Sequence, residues 1–254
     1  MDQLGFGIDI GGSGVKGAVV DMTTGKLQAE RVKVPTPKPA TPQAVAEAVT
    51  EVVRRVGWEG PIGATFPAVV VHGVAKTAAN VDGSWIDTDI EKVFTAAIGQ
   101  PVRAVNDADA AGVAESRYGA ARDRNGLVVV TTLGTGIGTA LLFDGTLIPN
   151  SELGHIELGG MDAEKGASAA AKDRESLSWE RWAKRLQKYY SAIENYLNPE
   201  LFVVGGGVSR KSEKFLPLLK LRTPIVAATE HNEAGIVGAA ILVTGAFPGE
   251  SRTA

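Results

Sequence analysis

Apolar positions along the chain follow two rhythms, one of period two and one of period three to four. Leu4–Ile10 alternates into a glycine turn at Gly11, Gly12 and Gly14, and a second apolar stretch, Val15–Asp21, runs on to a further turn at Thr23-Thr24-Gly25. This pattern predicts a β-meander, with Lys26–Pro35 as its third strand. The proline-rich stretch 35–42 predicts a stiff extended loop. It ends with Thr41 as helix N-cap and Pro42 at the first helical position. Val45, Val49, Val52 and Val56 then recur at helical spacing, which predicts a helix over Gln43–Val56. Further on, Pro61–Phe66 and Val69–Val74 read as strands, Ala78–Trp85 as a loop and Ile90–Ile98 as a helix. Val102–Val105 reads as a buried strand and Ala108–Tyr118 as an alanine-rich helix.

Leu127–Leu133 is almost continuously apolar, as in a strand covered on both faces. It leads into Gly134-Thr135-Gly136-Ile137-Gly138, a second apolar stretch Thr139–Phe143, and an Asp144-Gly145 turn. Residues 127–144 thus repeat the plan of residues 4–21, an internal duplication. The small, polar stretch 160–173 predicts a mobile loop. A long helix is expected over Leu177–Leu197, with Trp182, Leu186, Tyr189, Ile193 and Tyr196 as its apolar stripe. Arg181, Lys184, Arg185 and Lys188 form a basic stripe on a neighbouring face. Leu201–Val204 and Ile225–Ala227 read as strands and Asn232–Leu242 as a helix lined by small residues, its close packing a structural role. The tail after Pro248 is expected to fray.

Composition narrows the chemistry. The 254 residues include no cysteine and three histidines, which removes disulfides, iron–sulfur clusters and cysteine-based zinc sites. A net charge of −3 argues against broad nucleic-acid binding. No apolar run is long enough to span a membrane, and the first ten residues lack the basic flank of a signal peptide. The expected location is the cytoplasm. Charge is unevenly spread: residues 161–222 hold 12 Lys+Arg against 8 Asp+Glu. Such a stretch is either a solvated face or a track for a polyanion longer than a nucleotide.

Five constellations carry candidate chemistry. Asp9-Ile10-Gly11-Gly12-Ser13-Gly14-Val15-Lys16 is either an ordinary hairpin turn or a phosphate cradle. In the second reading its amides, the Ser13 hydroxyl and Lys16 face phosphate oxygens, and Asp9 holds Mg²⁺ or its waters. Its spacing does not fit the P-loop, and a strand rather than a helix is expected to follow it, unlike the dinucleotide fingerprint. Gly134-Thr135-Gly136 offers the same two readings, and a pair of such turns suits a donor with more than one phosphoryl group. Asp107, following Asn106 at the end of a buried strand, either caps the next helix or accepts the proton of an attacking hydroxyl while Asn106 fixes the acceptor. Glu152 and His155, with Glu157 nearby, form a hydrogen-bonding wall suited to a polyol, or His155 is structural. Gly206 and Gly207 either turn the chain or let its backbone approach a ligand.

In order and spacing, DIGGSGVKG (9–17), VNDADAAGVAE (105–115), TLGTGIGTAL (132–141), ELGH (152–155) and VVGGGVS (203–209) resemble the ROK sugar kinases, over about residues 5–243. The resemblance implies an α/β, actin/hexokinase-like (ribonuclease H-like) fold with duplicated mixed-sheet cores. Two lobes would close on the sugar: a small one of residues 1–105, to which a helix at about 233–243 returns, and a larger one of 106–232. It implies Asp107 as catalytic base toward a sugar 6-hydroxyl, and Asn106, Glu152 and His155 as sugar ligands. Gly11, Gly12, Ser13, Gly14, Lys16, Gly134, Thr135, Gly136, Gly206 and Gly207 would lie around the phosphoryl donor, with Asp9 and Mg²⁺.

The chain departs from that family after His155. Where most members carry a cysteine-rich zinc motif, 156–176 has no cysteine, so no zinc site is expected and Glu157 stands in for the sugar-binding glutamate that follows the motif. No helix–turn–helix extension precedes the first strand. These departures are similar to the actinobacterial polyphosphate glucokinases within the family. That likeness implies glucose as acceptor, inorganic polyphosphate or ATP as donor, and a homodimer. The rival readings are an ATP-only kinase for another hexose and a non-catalytic sugar sensor.

Overall fold

The computed structural model describes residues 4–78, 81–230 and 233–243. They divide into two compact units, Met1–Ala110 with Glu233–Ala254, and Ala111–Asn232. Asn232, the expected start of the last helix, and the tail after Pro248 lie outside the described residues.

In the first unit β1 (Leu4–Gly11) and β2 (Gly14–Asp21) form an antiparallel hairpin closed by the pair Gly11↔Gly14. β3 (Val32–Val34) continues the meander but is shorter than the expected 26–35, because only Leu27 of the preceding residues bridges back to β2. α1 (Pro42–Val56) starts where Thr41 accepts a hydrogen bond from the amide of Ala44 and stops at left-handed Gly57. Its apolar face, Val45, Val49, Val52 and Val53, is buried. β4 (Ile62–Phe66) follows. The expected strand 69–74 is instead a small hairpin of β5 (Val70–Val71) and β6 (Val74–Ala75). His72 and Gly73 both have positive φ there, which turns the chain back on itself. α2 (Ile90–Ile98), β7 (Val102–Asn106) and the first turn of α3 (Asp107–Arg117) complete the run.

The second unit contains β8 (Leu127–Leu133), β9 (Ile137–Phe143), β10 (Thr146–Ile148), α4 (Ala163–Ala167), α5 (Ala169–Arg174), α6 (Trp179–Leu197), β11 (Leu201–Gly205) and β12 (Ile225–Ala227). The stretch expected as a mobile loop is thus two short helices, capped by Asp162 and Ser168 and anchored by buried Ala163, Ala167 and Ala171. α6 buries Trp182, Leu186, Tyr189 and Ile193, while Tyr196, expected in the stripe, is 81% exposed. Both sheets have one plan: β3-β2-β1-β4-β7 in the first unit and β10-β9-β8-β11-β12 in the second. In each, an antiparallel hairpin is extended by two parallel strands. The duplication read over 4–21 and 127–144 therefore extends to whole sheets. Each unit has its own core, around Phe6, Phe66, Trp85 and Phe94 in the first and Trp182, Tyr190, Phe202 and Phe215 in the second.

α7 (Ala234–Val243), from the end of the chain, packs on the sheet of the first unit. It does so through bare backbone. A Cβ on Gly7 would lie 1.8 Å from the Ile236 carbonyl oxygen, and one on Gly63 1.7 Å from that of Ala239. The division between the units falls inside α3, at Ala110, rather than ahead of it.

Candidate active site

In the first unit the chemistry gathers at the carboxyl ends of the parallel strands, where open α/β sheets bind ligands. Asp9 stands opposite Lys16 across the hairpin, and Lys16 Nζ lies 2.9 Å from Asp9 Oδ2. Asp9 Oδ1 accepts from Thr65 Oγ1 at 3.2 Å, and that hydroxyl in turn accepts from the Ile10 amide at 3.1 Å. The first turn of α7 approaches from the other side: a Cβ on Gly235 would lie 3.0 Å from Asp9 Oδ1. A carboxylate is thus set against an ammonium and the positive end of a helix. The Gly12-Ser13 tip is exposed, and a Cβ on Gly12 would meet nothing within 4 Å, so the outer side of the turn is open. Lys33 is a residue the sequence reading missed. Its stem crosses the hairpin so closely that a Cβ on Gly14 would lie 2.5 Å from its Cε. Lys33 is opposite Lys16 in the β2–β3 register, a pairing visible only once β3 is placed.

Thr65 is in register with both Asp9 and Val105. Asn106 and Asp107 therefore emerge one step further along, two strands or about 10 Å from β1. The division of labour between them differs from the expectation. Asn106 is the helix cap: its Oδ1 accepts from the amides of Ala108 at 2.8 Å and Asp109 at 3.1 Å, and its Nδ2 donates to the Ala68 carbonyl at 2.9 Å. It is 8% exposed, so of the sugar-binding capacity expected of it one Nδ2–H remains. With Asn106 as the main cap, Asp107 is exposed in the first turn of α3, and its Oδ1 accepts from the Ala108 amide at 2.9 Å.

In the second unit Thr132 of β8 is in register with Gly205 of β11, so the Gly134-Thr135-Gly136 loop and the Gly206-Gly207 turn leave adjacent strands at one edge. Gly206 has φ of 81°, and a Cβ there would lie 2.4 Å from the Leu133 carbonyl oxygen; only glycine fits. Gly134 and Gly207 face open space. Glu164, from α4, supports the loop: its Oε2 accepts from the Ile137 amide at 2.9 Å and fills the place a Cβ on Gly136 would take.

Glu152 and His155 flank a 3-10 turn, Leu153–His155, seated on β9. Gly154 makes the seat, since a Cβ there would lie 1.9 Å from the Ile137 carbonyl oxygen. Thr139 Oγ1 donates to the Ser151 carbonyl at 2.7 Å and accepts from the Leu153 amide at 3.1 Å. His155 Nδ1 is 2.9 Å from Asp162 Oδ2, and its Nε2 is 3.8 Å from Glu152 Oε2. The hydrogen bond to Asp162 raises the imidazole pKa against the cost of burial, with the charges of Glu164, Asp162 and Glu152 adding to it. Burial raises the Glu152 carboxyl, and the charge of Glu164 pushes it the same way, against the pull of His155. The carboxylates that act on this pair are therefore Asp162 and Glu164. Glu157, expected to stand in for a sugar-binding glutamate, is exposed and bridges to Asp162 by its backbone. The Asp162-Ala-Glu164 signal was present as a helix N-cap followed by an acidic first turn.

On α6 Arg181, Lys184 and Lys188 of the basic stripe are exposed, and Arg185 is engaged. Arg185 is taken by Glu175, with Nη1 3.1 Å from Oε1, and by the Gly166 carbonyl at 2.9 Å. Among the described residues no three His, Cys, Asp or Glu side chains are placed to share a metal ion. Mg²⁺ does not require such a group, because it keeps several waters and takes one or two carboxylates with substrate phosphates. Asp9, a hard oxygen donor beside an open amide turn, fits that demand. No helix among the described residues is long and apolar enough to cross a membrane.

The family model described as "ROK family" matches residues 5–169. The polyphosphate glucokinase of Mycobacterium tuberculosis H37Rv is 54% identical over 238 residues, 93% of this chain and 90% of that protein. Among solved structures, the inorganic polyphosphate/ATP-glucomannokinase from Arthrobacter sp. strain KM superposes with a TM-score of 0.92 at 54% identity, covering 95% of this chain and 98% of the other. A ROK family glucokinase from Streptomyces griseus, in complex with glucose and AMPPNP, shares the fold, with a TM-score of 0.80 at 23% identity over 94% of this chain and 99% of the other.

Proposed function

The chain belongs to the ROK family, and on that premise we propose that it is a glucokinase that takes its phosphoryl group from inorganic polyphosphate, and also from ATP. The reading is carried by one observation. Asn106 does the main capping of α3, which leaves Asp107 exposed at the carboxyl edge of the sheet, two strands from Asp9 and its amide turn. The likeness to a polyphosphate glucokinase and a polyphosphate/ATP-glucomannokinase, each at 54% identity, supports the choice of donor and acceptor.

In the proposed reaction the Asp107 carboxylate takes the proton from the 6-hydroxyl of glucose. The hydroxyl oxygen forms a bond to the terminal phosphorus as the bridging P–O bond breaks. Glucose 6-phosphate leaves, with polyphosphate shortened by one unit or with ADP. Glu152 and His155 hold sugar hydroxyls. Asp162 fixes the orientation of the imidazole, and Glu164 supports both the loop and this pair. The glycine turns and Lys16 offer donors to phosphate oxygens, where charge accumulates in the transition state. Mg²⁺, held at Asp9, would supply charge neutralisation on the donor phosphates.

A coupled glucose 6-phosphate assay with polyphosphate and with ATP tests the reading. Asp107→Asn should bind glucose and lose about 10²–10⁴-fold in kcat with both donors. Turnover within a few-fold of wild type would overturn the role of Asp107. Because the Arthrobacter relative is named for mannose as well as glucose, the same assay run with mannose defines the acceptor range.

A further inference from the structure

The second unit has cations that neither the sugar nor the donor turns account for. The segment Gly207–Lys214 is a run of 3-10 turns that begins at the Gly206-Gly207 turn and carries Arg210, Lys211 and Lys214, all exposed. At its far end Phe215 is buried and stacks on Trp179 at 6.0 Å, with 11° between the rings. α5 starts from the neighbouring donor loop, where the Ala170 amide donates to the Gly134 carbonyl at 3.0 Å. One turn along, its Lys172 reaches the same indole, with Nζ 4.3 Å from the Trp179 ring centre. Lys214 Nζ lies 5.8 Å from that ring. A segment that leaves one glycine turn and a helix hydrogen-bonded to the neighbouring turn thus bring two ammonium groups to one indole ring.

Lys172 is held rather than waving in solvent: its side chain is 16% exposed, and the cation–π contact fixes where its charge sits. Its partner Asp173 is 3.5 Å away and 80% exposed, a long surface pair that an incoming anion can displace. Arg210, Lys211 and Lys214 make no ion pair with any described residue. Three unpaired cations on the Gly207–Lys214 segment and a fourth fixed on α5 are more than one terminal phosphate can use.

We infer that Arg210, Lys211, Lys214 and Lys172, ordered around Trp179, form a binding track for the distal phosphates of a long polyphosphate chain whose reacting end lies at the glycine turns. This inference rests on the polyphosphate reading of the same site. It extends the polyanion track beyond α6, where Arg185 is occupied by Glu175, to the 3-10 segment and α5. A linear polyanion on such a track releases counterions, so its binding weakens with salt. The slope is about 0.7 per phosphate neutralised when scaled from single-stranded nucleic acid.

The test compares ATP, tripolyphosphate and long-chain polyphosphate as donors at saturating glucose, for wild type, Lys172→Gln/Lys214→Gln and Arg210→Gln/Lys211→Gln. Each double variant should raise KM for the long chain ten-fold or more. KM for ATP and tripolyphosphate, and kcat with every donor, should stay within two-fold. The salt slope for the long chain should fall by about 0.7 for each cation removed. Lys172→Arg, which keeps the charge on the ring, should retain the wild-type KM. An equal rise for all three donors, or no change with the long chain, overturns the track while leaving the polyphosphate reading intact. A wild-type protein that turns over ATP but no polyphosphate of any length removes both.

Discussion

Replacing Gly154 by alanine asks whether the placement of Glu152 and His155 rests on the backbone contact beneath them. The new Cβ would lie 1.9 Å from the Ile137 carbonyl oxygen, where contacts under 3.0 Å are essentially never seen. Neither atom is the end of a flexible side chain, so the 3-10 turn and β9 must part by about 1 Å or more. Overpacking of that kind costs about 1–3 kcal/mol, and in a chain of this size each kcal/mol lowers Tm by about 2–4 °C. The catalytic consequence should be larger. A displacement of 1 Å in a positioning group costs about 10²-fold, and Glu152 and His155 flank the moved residue. Gly154→Ala should therefore fold, melt a few degrees early, and lose about two orders of magnitude in kcat/KM for glucose. Gly83→Ala is the matched control, since a Cβ there meets nothing within 4 Å and the residue lies outside the site. Thermal melts and initial rates over a glucose series measure both quantities. A Gly154→Ala protein with wild-type Tm and kcat/KM would refute the claim that this contact sets the sugar-binding pair.

Three further outcomes follow from the same contacts. Asp162→Asn keeps an acceptor for His155 but removes the carboxylate that raises its pKa. A raised folded pKa contributes stability that is complete below the unfolded value of about 6.5 and is lost as pH rises through the folded value. The Tm gap between wild type and Asp162→Asn should thus be widest near pH 5–6 and close on the alkaline side. With the imidazole 48% exposed, solvent screening keeps that gap under about 1 kcal/mol. Asn106→Ala removes both capping bonds and the bond to Ala68, and should cost about 1–2 kcal/mol by urea unfolding, with a fall in kcat as the first turn carrying Asp107 loosens. Gly63→Ala places a Cβ 1.7 Å from the Ala239 carbonyl oxygen. It should shift the urea midpoint down, by about 1–3 kcal/mol, and an unchanged midpoint would show that α7 has room to move.

What the sequence revealed and what it concealed divide along physical lines. The hairpins were legible because each is an apolar strand broken by glycines, a signal carried within twenty residues, and its repetition at 127–144 disclosed the two-fold plan. Asp9, Asp107, Glu152 and His155 were legible for the same reason, as polar residues at the ends of apolar runs. α4 and α5 were not. At five and six residues they are too short to display a hydrophobic period, and their alanine and glycine content resembles a loop. Misreading that stretch hid Asp162 and Glu164. Lys33 and the Lys172–Trp179–Lys214 cluster were hidden because their contacts join elements far apart in sequence. Asp107 was the visible capping candidate and Asn106 was read as a sugar ligand; Asn106 folds back onto the helix because its side chain is also held by the Ala68 carbonyl, 38 positions away.

The seating of α7 on Gly7 and Gly63 dictates an order of assembly. Ala111–Asn232 is one uninterrupted stretch, made in full before α7 is. The strands that begin the chain must wait, with their glycine face bare, until the last helix has been synthesised. Asp9 acquires its Gly235 neighbour only then, so a nascent chain holds its first-made residues in an unfinished state and completes that half of the enzyme last.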